Sequence, residues 1–299
     1  MSQAAFSRDW LALREPFDLA ARAAAWQGVD LAAAASDWRG GASTLQVIDL
    51  ACGSGANLRA LAPRLQGAQR WTLVDHDPAL LAAVPAALQA WAAATGCHVR
   101  IEPDAVHLQG DDWHAEVQLQ ACDLATGLAQ LPLTQAHLVT ASALLDLVSA
   151  RWLDALLAYG RHVPAWLFAL SVDGRIDWAP ADPDDGWIDQ LFGAHQSRDK
   201  GFGPALGGAA PLHATRALES LGCTVQSVPS DWDMAAERDG ADRALLQALI
   251  DGMAQAATEQ APAARTRTAA WRQRREALVT STRLNVGHLD LLATRVPPA

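Results

Sequence analysis

Cysteine and clusters of metal-ligating residues are scarce in this sequence. The chain has four cysteines, Cys52, Cys97, Cys122 and Cys223, which lie far apart, without CxxC spacing or a cluster of histidines nearby. This spacing excludes a disulfide framework and a zinc site of the usual kind. We therefore expect reduced thiols and no bound metal.

Basic charge and long apolar runs are also scarce. The 299 residues carry a net charge of -10, which disfavours nucleic acid as a partner because polyanions are repelled. No stretch is expected to approach the ~18 consecutive apolar residues of a membrane span. Arg8 and Asp9 precede the first apolar run, and the absence of a small-residue cleavage pattern argues against a secretory signal. We expect no membrane association and a cytoplasmic location.

The chain does contain a regular alternation of strand and helix patterns. Hydrophobic residues make up 51% of it, enough to build a full core. Short apolar runs predict strands over residues 45–50, 70–75, 117–125, 137–142, 165–173, 223–228 and 286–294. Segments with helical spacing of apolar residues separate most of these runs. The alternation predicts an α/β fold with a doubly wound, mostly parallel, seven-stranded sheet covered by helices on both faces.

The turn after the first predicted strand, in VIDLACGSG, is where a ligand site is expected. Ligands of open parallel sheets bind beyond the carboxyl ends of the strands, and Gly53 and Gly55 let the backbone approach a ligand closely. A nicotinamide or flavin fingerprint, GxGxxG, would need a third glycine where Leu58 stands. Asp49 also disfavours a pyrophosphate and favours a cation. The turn therefore predicts a site for a positively charged ligand.

Together with the first acid of LVDHDP, this turn resembles motif I and the next acidic position of class I S-adenosylmethionine-dependent methyltransferases. The resemblance implies S-adenosyl-L-methionine as the cofactor. It places the glycine turn against the methionine part of the cofactor and the acid that ends the second strand, Asp75, on the ribose hydroxyls. It also places a residue after the third strand beside the adenine. Carried over by position, the implied cofactor contacts are Asp49, Ala51, Gly53, Gly55, Asp75, Asp77, Asp123 and Leu124. Ala51 stands where the family commonly has glycine, and Asp77 before a proline is equally explained as a helix cap.

The resemblance also divides the chain into parts. Residues 1–44 are expected to form an N-terminal helical cap, and residues 45–235 the cofactor-binding α/β core. Within the core, residues 174–210 are predicted to be a long acceptor loop. Residues 236–280 are predicted to be a helical insertion, and residues 281–299 contain the last strand of the core.

The acceptor hypothesis depends on residues near the expected position of the transferred methyl group. The fourth strand is followed by TASALLDLVS, not by the Asn or Asp before PPY or PPF that is typical of methyltransferases acting on base nitrogens. We predict catalytic roles for Asp146 in this stretch and for His195 and Lys200 in the acceptor loop. Lys200 is the only lysine of the chain. The predicted substrate contacts are Arg14, Asp173, Arg198, Asp199 and Phe202.

The sequence therefore predicts a methyltransferase that modifies an oxygen or nitrogen atom of a small polar metabolite. One alternative is a methyltransferase of RNA or protein, docked by the arginine-rich segment 265–275. Another is a protein that binds the cofactor without catalysis.

Overall fold

The computed structural model describes residues 8–295, so the two ends of the chain, within the predicted cap and the predicted last strand, lie outside the described residues. Within this range ten strands form one sheet. The strands are β1 (Leu45–Leu50), β2 (Gly67–Asp75), β3 (His98–Ile101), β4 (Val106–Gln109), β5 (Trp113–Ala121), β6 (Leu138–Ser142), β7 (Ala165–Ala179), β8 (Cys223–Pro229), β9 (Trp232–Ala235) and β10 (Arg283–Arg295). The α-helices are α1 (Arg8–Ala25), α2 (Leu31–Arg39), α3 (Ala56–Leu65), α4 (Pro78–Thr95), α5 (Ala150–Tyr159), α6 (Asp185–Gln196), α7 (Ala210–Ser220), α8 (Gly240–Gln260) and α9 (Arg265–Leu278).

The strands follow the order β3-β4-β5-β2-β1-β6-β7-β10-β8, and β9 pairs with β10. Strands β5, β2, β1, β6 and β7 run parallel, while β10 runs antiparallel to both β7 and β8. This confirms the predicted α/β, doubly wound, class I methyltransferase-like sheet. The sheet has ten strands and not seven, because β3 and β4 extend it beyond β5 and β9 adds to β10. Each of these three strands has four residues, too few for a clear alternation pattern.

β1 occupies the centre of the sheet because its sequence is apolar on both faces. It pairs with β2 on one side and β6 on the other, and all but one of its residues are buried. The winding reverses between β1 and β6, so the carboxyl ends of these strands border a crevice. The glycine turn of the predicted site therefore lies at the switch point of the sheet.

Both faces of the sheet bury a hydrophobic cluster. On one face Trp71 packs with Leu58 of α3 and Val84 of α4. On the other face Phe168 belongs to a cluster with Leu153 of α5. The strands that carry the cavity side chains are thus packed against a hydrophobic cluster on each face of the sheet.

The region after β7 is more regular than its sequence predicts. β7 continues to Ala179 and α6 covers Asp185–Gln196, so the predicted loop 174–210 contains both a strand end and a helix. α8 and α9 occupy most of residues 236–280. α6 packs against α8, and α8 against α9, so the three helices form a layer beside the crevice.

α4 contradicts the expectation that no stretch approaches a membrane span. By length and composition alone its residues Pro78–Thr95 could cross a membrane, with a mean hydropathy of 1.3. In the fold, Leu81, Val84 and Leu88 are buried in the core, and the exposed positions are mostly alanine. Alanine raises the mean hydropathy of a helix that covers one face of a sheet.

Candidate functional site

A cavity of about 500 Å³ opens at the carboxyl edge of the parallel strands. Its glycine-turn end is formed by the segments that follow β1, β2 and β5, and its α6 end by α6, α8, β9, β10 and the distal half of β7. Helix α1 contributes to both ends. The turn after β6 also contributes to the wall. The predicted site residues that line the cavity are Arg14, Ala51, Gly53, Asp75, Asp77, Asp123, Leu124, Asp146, His195, Lys200 and Phe202.

Asp75 ends β2 and is held by backbone donors. Its Oδ2 accepts a hydrogen bond from the Gly53 N–H at 2.8 Å, and its Oδ1 accepts one from the Asp77 N–H at 2.9 Å. The residue is only 4% exposed, yet it lines the cavity. A carboxylate oxygen has more than one lone pair, so both oxygens can accept further hydrogen bonds from a ligand. Asp75 is therefore a fixed hydrogen-bond acceptor at the crevice.

The glycine turn has a left-handed backbone that brings the main chain close to the cavity. Gly53 has a φ of 55° and Ala51 a φ of 52°. A side chain in this region is strained, and such strain concentrates at functional sites. Ala143 and Leu170, which also line the cavity, have the same φ of 52°. Gly55 does not line the cavity. A Cβ atom added to it would lie 3.6 Å from the side chains of both Leu73 and Val84, which fill the space on that side.

Helix α1 lies over the glycine turn. A Cβ atom added to Gly53 would lie 3.6 Å from the side chain of Leu11. Glu15 accepts hydrogen bonds from Arg59 of α3 at 2.9 and 2.5 Å, and Arg59 donates to the Ser54 carbonyl at 2.8 Å. These bonds attach the described part of the predicted cap to the turn.

Asp49 lies behind the cavity wall and does not line the cavity, although the sequence placed it facing the pocket. β1 is central, so its terminal side chains are enclosed. The Oδ1 of Asp49 accepts a hydrogen bond from Asn57 Nδ2 at 2.6 Å, and burial, partly offset by Asn57 and Arg22, raises the pKa of Asp49 to about 7. Its Oδ2 and the Oδ1 of Asn57 have no partner among the described residues.

Asn57 itself lines the cavity, and sequence reasoning missed it. A polar residue in the first turn of the helix that follows a glycine turn was the available signal. Asn57 also donates to Thr140 Oγ1 at 3.1 Å, so its amide is fixed from two sides. Asn57 therefore connects the buried Asp49 carboxyl to the cavity wall through a hydrogen bond.

The remaining predicted cofactor residues surround the entrance. The exposed carboxylate of Asp123 accepts from the Ala125 N–H at 2.9 Å, and buried Leu124 is fixed by a 2.6 Å hydrogen bond from Trp152 to its carbonyl. Asp77 accepts from the Ala79 N–H at 2.8 Å and begins α4. Its capping role is confirmed, and its contact with a cofactor stays a prediction.

Asp146 follows β6 in a short 3₁₀ turn and is 8% exposed. Its Oδ1 has no hydrogen-bond partner among the described residues. Burial raises the pKa of the carboxyl, and the charges of Arg14 and Lys200 partly oppose this shift. Lys200 lines the same cavity, and Phe202 packs edge-on against Trp152 with ring centroids 5.1 Å apart. The predicted acid and its cation thus share one cavity.

Two polar groups at the α6 end already have partners. Arg14 donates to Asp18 at 2.8 Å, and the indole N–H of Trp232 donates to the same carboxylate at 2.9 Å. His195 lies 2.9 Å from the Oε2 of Glu259 on α8. These pairs tie α1 to β9 and α6 to α8.

Three predicted substrate contacts do not line the cavity. Asp173 accepts from Arg175 at 2.6 Å, because β7 continues past it as an ordered strand. Arg198 follows α6 and donates to the Glu259 carbonyl at 3.1 Å. Asp199 accepts from the N–H groups of Gly201 and Gly203 at 2.7 and 2.9 Å and shapes its own loop.

Besides Asn57, two titratable cavity residues were missed by sequence reasoning. Asp189 lies on α6 between apolar residues in WIDQLF, and burial raises its pKa to about 7. His288 of β10 is 3% exposed, its Nδ1 lies 2.9 Å from the Val286 carbonyl oxygen, and burial lowers its pKa to about 4. A charged residue within the apolar pattern of a helix was a signal for Asp189. The signal for His288 was weaker, because a histidine inside a buried strand is commonly a packing residue.

The arginine-rich helix α9 binds the acidic segment before α6. Arg267 donates to Asp184 at 2.8 Å, and Arg274 donates to both Asp182 and Asp184. Arg275 is fully buried and paired with Asp185. These arginines therefore hold the α6 end together.

No protein-family model matches the chain, and a comparison with curated proteins found no match. Solved structures similar to it include a cyclopropane-fatty-acyl-phospholipid synthase-like protein from Lactobacillus casei, with 15% identity, a TM-score of 0.48, and coverage of 98% of this chain and 96% of that one. An O-methyltransferase family protein from Burkholderia thailandensis has 12% identity and a TM-score of 0.43, with 94% and 57% covered. A cyclopropane synthase from Mycobacterium tuberculosis has 11% identity and a TM-score of 0.42, with 95% and 84% covered. The function is therefore inferred from the residues of the cavity.

Proposed function

We propose that this protein is an S-adenosylmethionine-dependent methyltransferase that modifies an oxygen or nitrogen atom of a small molecule. The observation that carries this proposal is Asp75. Its carboxylate is fixed by the Gly53 and Asp77 N–H groups, lines the cavity beside the glycine turn, and keeps lone pairs for two further hydrogen bonds. A vicinal diol such as a ribose matches this acceptor.

The other residues of the glycine-turn end fit the same cofactor. S-adenosylmethionine carries an ammonium and a sulfonium cation, and the buried Asp49 and Asn57 oxygens without partners would favour positive charge next to them. Asp75 would hold the ribose, and Leu124 would pack against the adenine beside Asp123. When bound, the cofactor supplies a methyl group on positively charged sulfur. A site for a cation also explains why no third glycine is needed here.

The chain's own contribution is alignment, exclusion of water and removal of a proton. α1 covers the glycine turn through the Glu15–Arg59 pair, which shields this end from solvent. Asp146 has a raised pKa and an oxygen that no described residue hydrogen-bonds, so it is suited to take the proton of an acceptor hydroxyl or amine. The nearby charge of Lys200 keeps the ionised form of Asp146 accessible.

The structure gives less support to the two alternatives. Docking of RNA or protein by segment 265–275 would need free arginines, but Arg267, Arg272, Arg274 and Arg275 are paired with carboxylates of this chain. A protein that only binds the cofactor would not need the α6 end of the cavity. The presence of that space favours a second, smaller ligand.

Replacement of Asp75 tests the proposal. We expect Asp75→Ala to lower the affinity for S-adenosylmethionine by about 100-fold or more, because two hydrogen bonds to a charged group are lost. Isothermal calorimetry measures this, with Asp104→Ala, an exposed aspartate of the β3–β4 turn, as the matched control. Asp75→Asn retains one acceptor oxygen, so its affinity for S-adenosylmethionine should lie between those of Asp75→Ala and Asp104→Ala. An affinity within twofold of wild type in folded Asp75→Ala would contradict the proposal, as would the absence of labelled product after incubation with labelled cofactor and a host metabolite extract.

A further inference from the structure

The α6 end of the cavity has apolar walls. They are contributed by β7, α6, α8 and β10 through Ile176, Phe192, Leu249, Met253, Leu284 and Val286. Ligand sites of this kind bury the apolar body of a ligand and orient it with a small number of polar groups. The chemistry of the ligand is therefore set by the polar groups that are still free.

Three ionisable groups lining this end already have partners. Arg14 is paired with Asp18, and His195 with Glu259. His288 is neutral, because burial lowers its pKa to about 4, and its Nδ1–H donates to the Val286 carbonyl. None of these groups supplies an unpaired charge to a ligand.

Asp189 is different. It lines the cavity, and its Oδ1 is buried without a hydrogen-bond partner within residues 8–295. The groups that act on its carboxyl are Asp185, the indole N–H of Trp178, Arg275 and Asp177. The indole N–H of Trp178 is near the carboxyl but, among the described residues, does not reach hydrogen-bond geometry. Among the described residues, Arg275 is the only cation that acts on Asp189, and it is committed to Asp185 and to the Pro180 carbonyl. Lys200 lines the same cavity, but its charge acts on Asp146.

An unpaired carboxylate in an apolar environment is costly, and the molecule can lower this cost in two ways. The carboxyl can hold a proton, and burial does raise its pKa to about 7. Alternatively, a cationic ligand can enter the cavity and pair with it. An anionic ligand is disfavoured in both cases. The ionised carboxylate repels the anion, and next to the protonated carboxyl the charge of the anion would still be desolvated.

We propose that the α6 end binds an acceptor with an apolar body and an amine, and that the Asp189 carboxylate binds this amine as an ammonium ion. This inference rests on the proposed function, because it names the chemical class of the molecule that is methylated. It narrows the acceptor from a small polar molecule to a compact apolar amine.

Three probes that share a 2-phenylethyl body and differ in the charge of the attached group test the proposal. 2-Phenylethylammonium, 2-phenylethanol and 3-phenylpropanoate are titrated by calorimetry at about pH 8, where Asp189 is ionised. Each titration is run with and without S-adenosylhomocysteine. In the wild-type protein the ammonium should bind about 10-fold or more tightly than the alcohol, and the carboxylate most weakly. Asp189→Asn should remove this preference for the cation.

Asp177→Asn is the matched control, because Asp177 is an exposed neighbour on β7 that does not line the cavity. It removes the same charge and should leave ammonium affinity within about twofold. Both variants should keep the wild-type affinity for S-adenosylhomocysteine, which shows that they are folded. Equal or tighter binding of the alcohol or the carboxylate, no binding of the ammonium probe, or an unchanged preference in Asp189→Asn would overturn the proposal. If the wild-type protein does not bind S-adenosylhomocysteine, the result would instead overturn the proposed function.

Discussion

The two ends of the cavity hold their carboxylates in opposite ways. At the glycine-turn end, Asp75 accepts hydrogen bonds from backbone N–H groups, which orient the carboxylate without neutralising it. At the α6 end, Asp18 is neutralised by an arginine, whereas Asp189 forms no ion pair and its buried Oδ1 accepts no hydrogen bond within residues 8–295. Backbone donors create a preformed site for a neutral diol or a cation. An unpaired carboxylate leaves the ligand to supply the charge.

The ends also differ in how far apart in sequence their partners lie. The Gly53–Asp75 bond joins residues separated by 22 positions, within one β–turn–α–β unit. The Trp232–Asp18 bond spans 214 positions, and the Arg275–Asp185 pair spans 90. The glycine-turn end is therefore specified by local sequence, whereas the α6 end exists only once distant segments are packed.

Breaking the buried pair behind the α6 end should have the largest effect. Arg275 is fully buried, donates to Asp185 and lies over the Trp178 ring with its guanidinium carbon 4.4 Å from the ring centroid. Arg275→Leu leaves the Asp185 carboxylate buried without its cation. We expect the free energy of unfolding to fall by about 3–5 kcal/mol, measured by urea denaturation.

Arg265→Ala is the control for that change, because Arg265 is an exposed arginine of the same helix. It should alter the free energy of unfolding by no more than about 0.5 kcal/mol. At temperatures where Arg275→Leu is folded, S-adenosylhomocysteine should still bind, since the glycine-turn end does not depend on this pair. A loss of less than about 1 kcal/mol in Arg275→Leu would show that the α6 end does not need the buried pair.

The same contrast explains what could be predicted from sequence. The strand–turn–helix pattern around VIDLACGSG predicted β1 correctly, because a few adjacent residues define that unit. Gly53 and Asp75 line the cavity, and their contact with a cofactor stays a prediction. Asp173 was placed at the substrate because it ends a predicted strand, and Arg198 because it lies in a predicted loop. In the structure Asp173 is bound by Arg175, which also binds Asp231, and Arg198 donates to the Glu259 carbonyl. The Asp231 and Glu259 contacts are set by tertiary packing. Asp189 could not be assigned while α6 was taken for a loop, since only a helix places residue 189 on the same face as Phe192, three positions later.

The raised pKa of Asp49 predicts a pH dependence of stability that Asp49→Asn should remove. Asp49 keeps its proton up to about pH 7 in the folded protein but loses it near 3.8 when unfolded, so the folded state binds more protons between these values. The contribution of Asp49 to the free energy of unfolding therefore falls as pH rises from about 4 to 7 and is level above that. Without ligand, Asp49→Asn should match wild type at about pH 4 and exceed it by about 2–4 kcal/mol at about pH 8.

Ligand binding by the same variant sharpens the comparison between the two ends. S-adenosylhomocysteine carries an ammonium group, so its affinity should fall about 10-fold in Asp49→Asn at about pH 8 and remain unchanged in Asp189→Asn. Equal effects of the two variants on this affinity would mean that the two ends are not separate binding sites. Urea denaturation across the pH range and calorimetry provide the two measurements.

The smallest expected effect concerns the strained turn itself. Ala51 has a φ of 52°, a conformation that costs an L-residue about 1–2 kcal/mol and glycine almost nothing. Ala51→Gly should raise the free energy of unfolding by up to about 1 kcal/mol, after the larger chain entropy of glycine in the unfolded state is subtracted. The same substitution inside α3, Ala60→Gly, should lower it by about 1 kcal/mol, because a helix interior disfavours glycine. Opposite signs in thermal unfolding would show that strain is stored at the glycine turn, whereas destabilisation by both changes would show that Ala51 is held there by favourable packing.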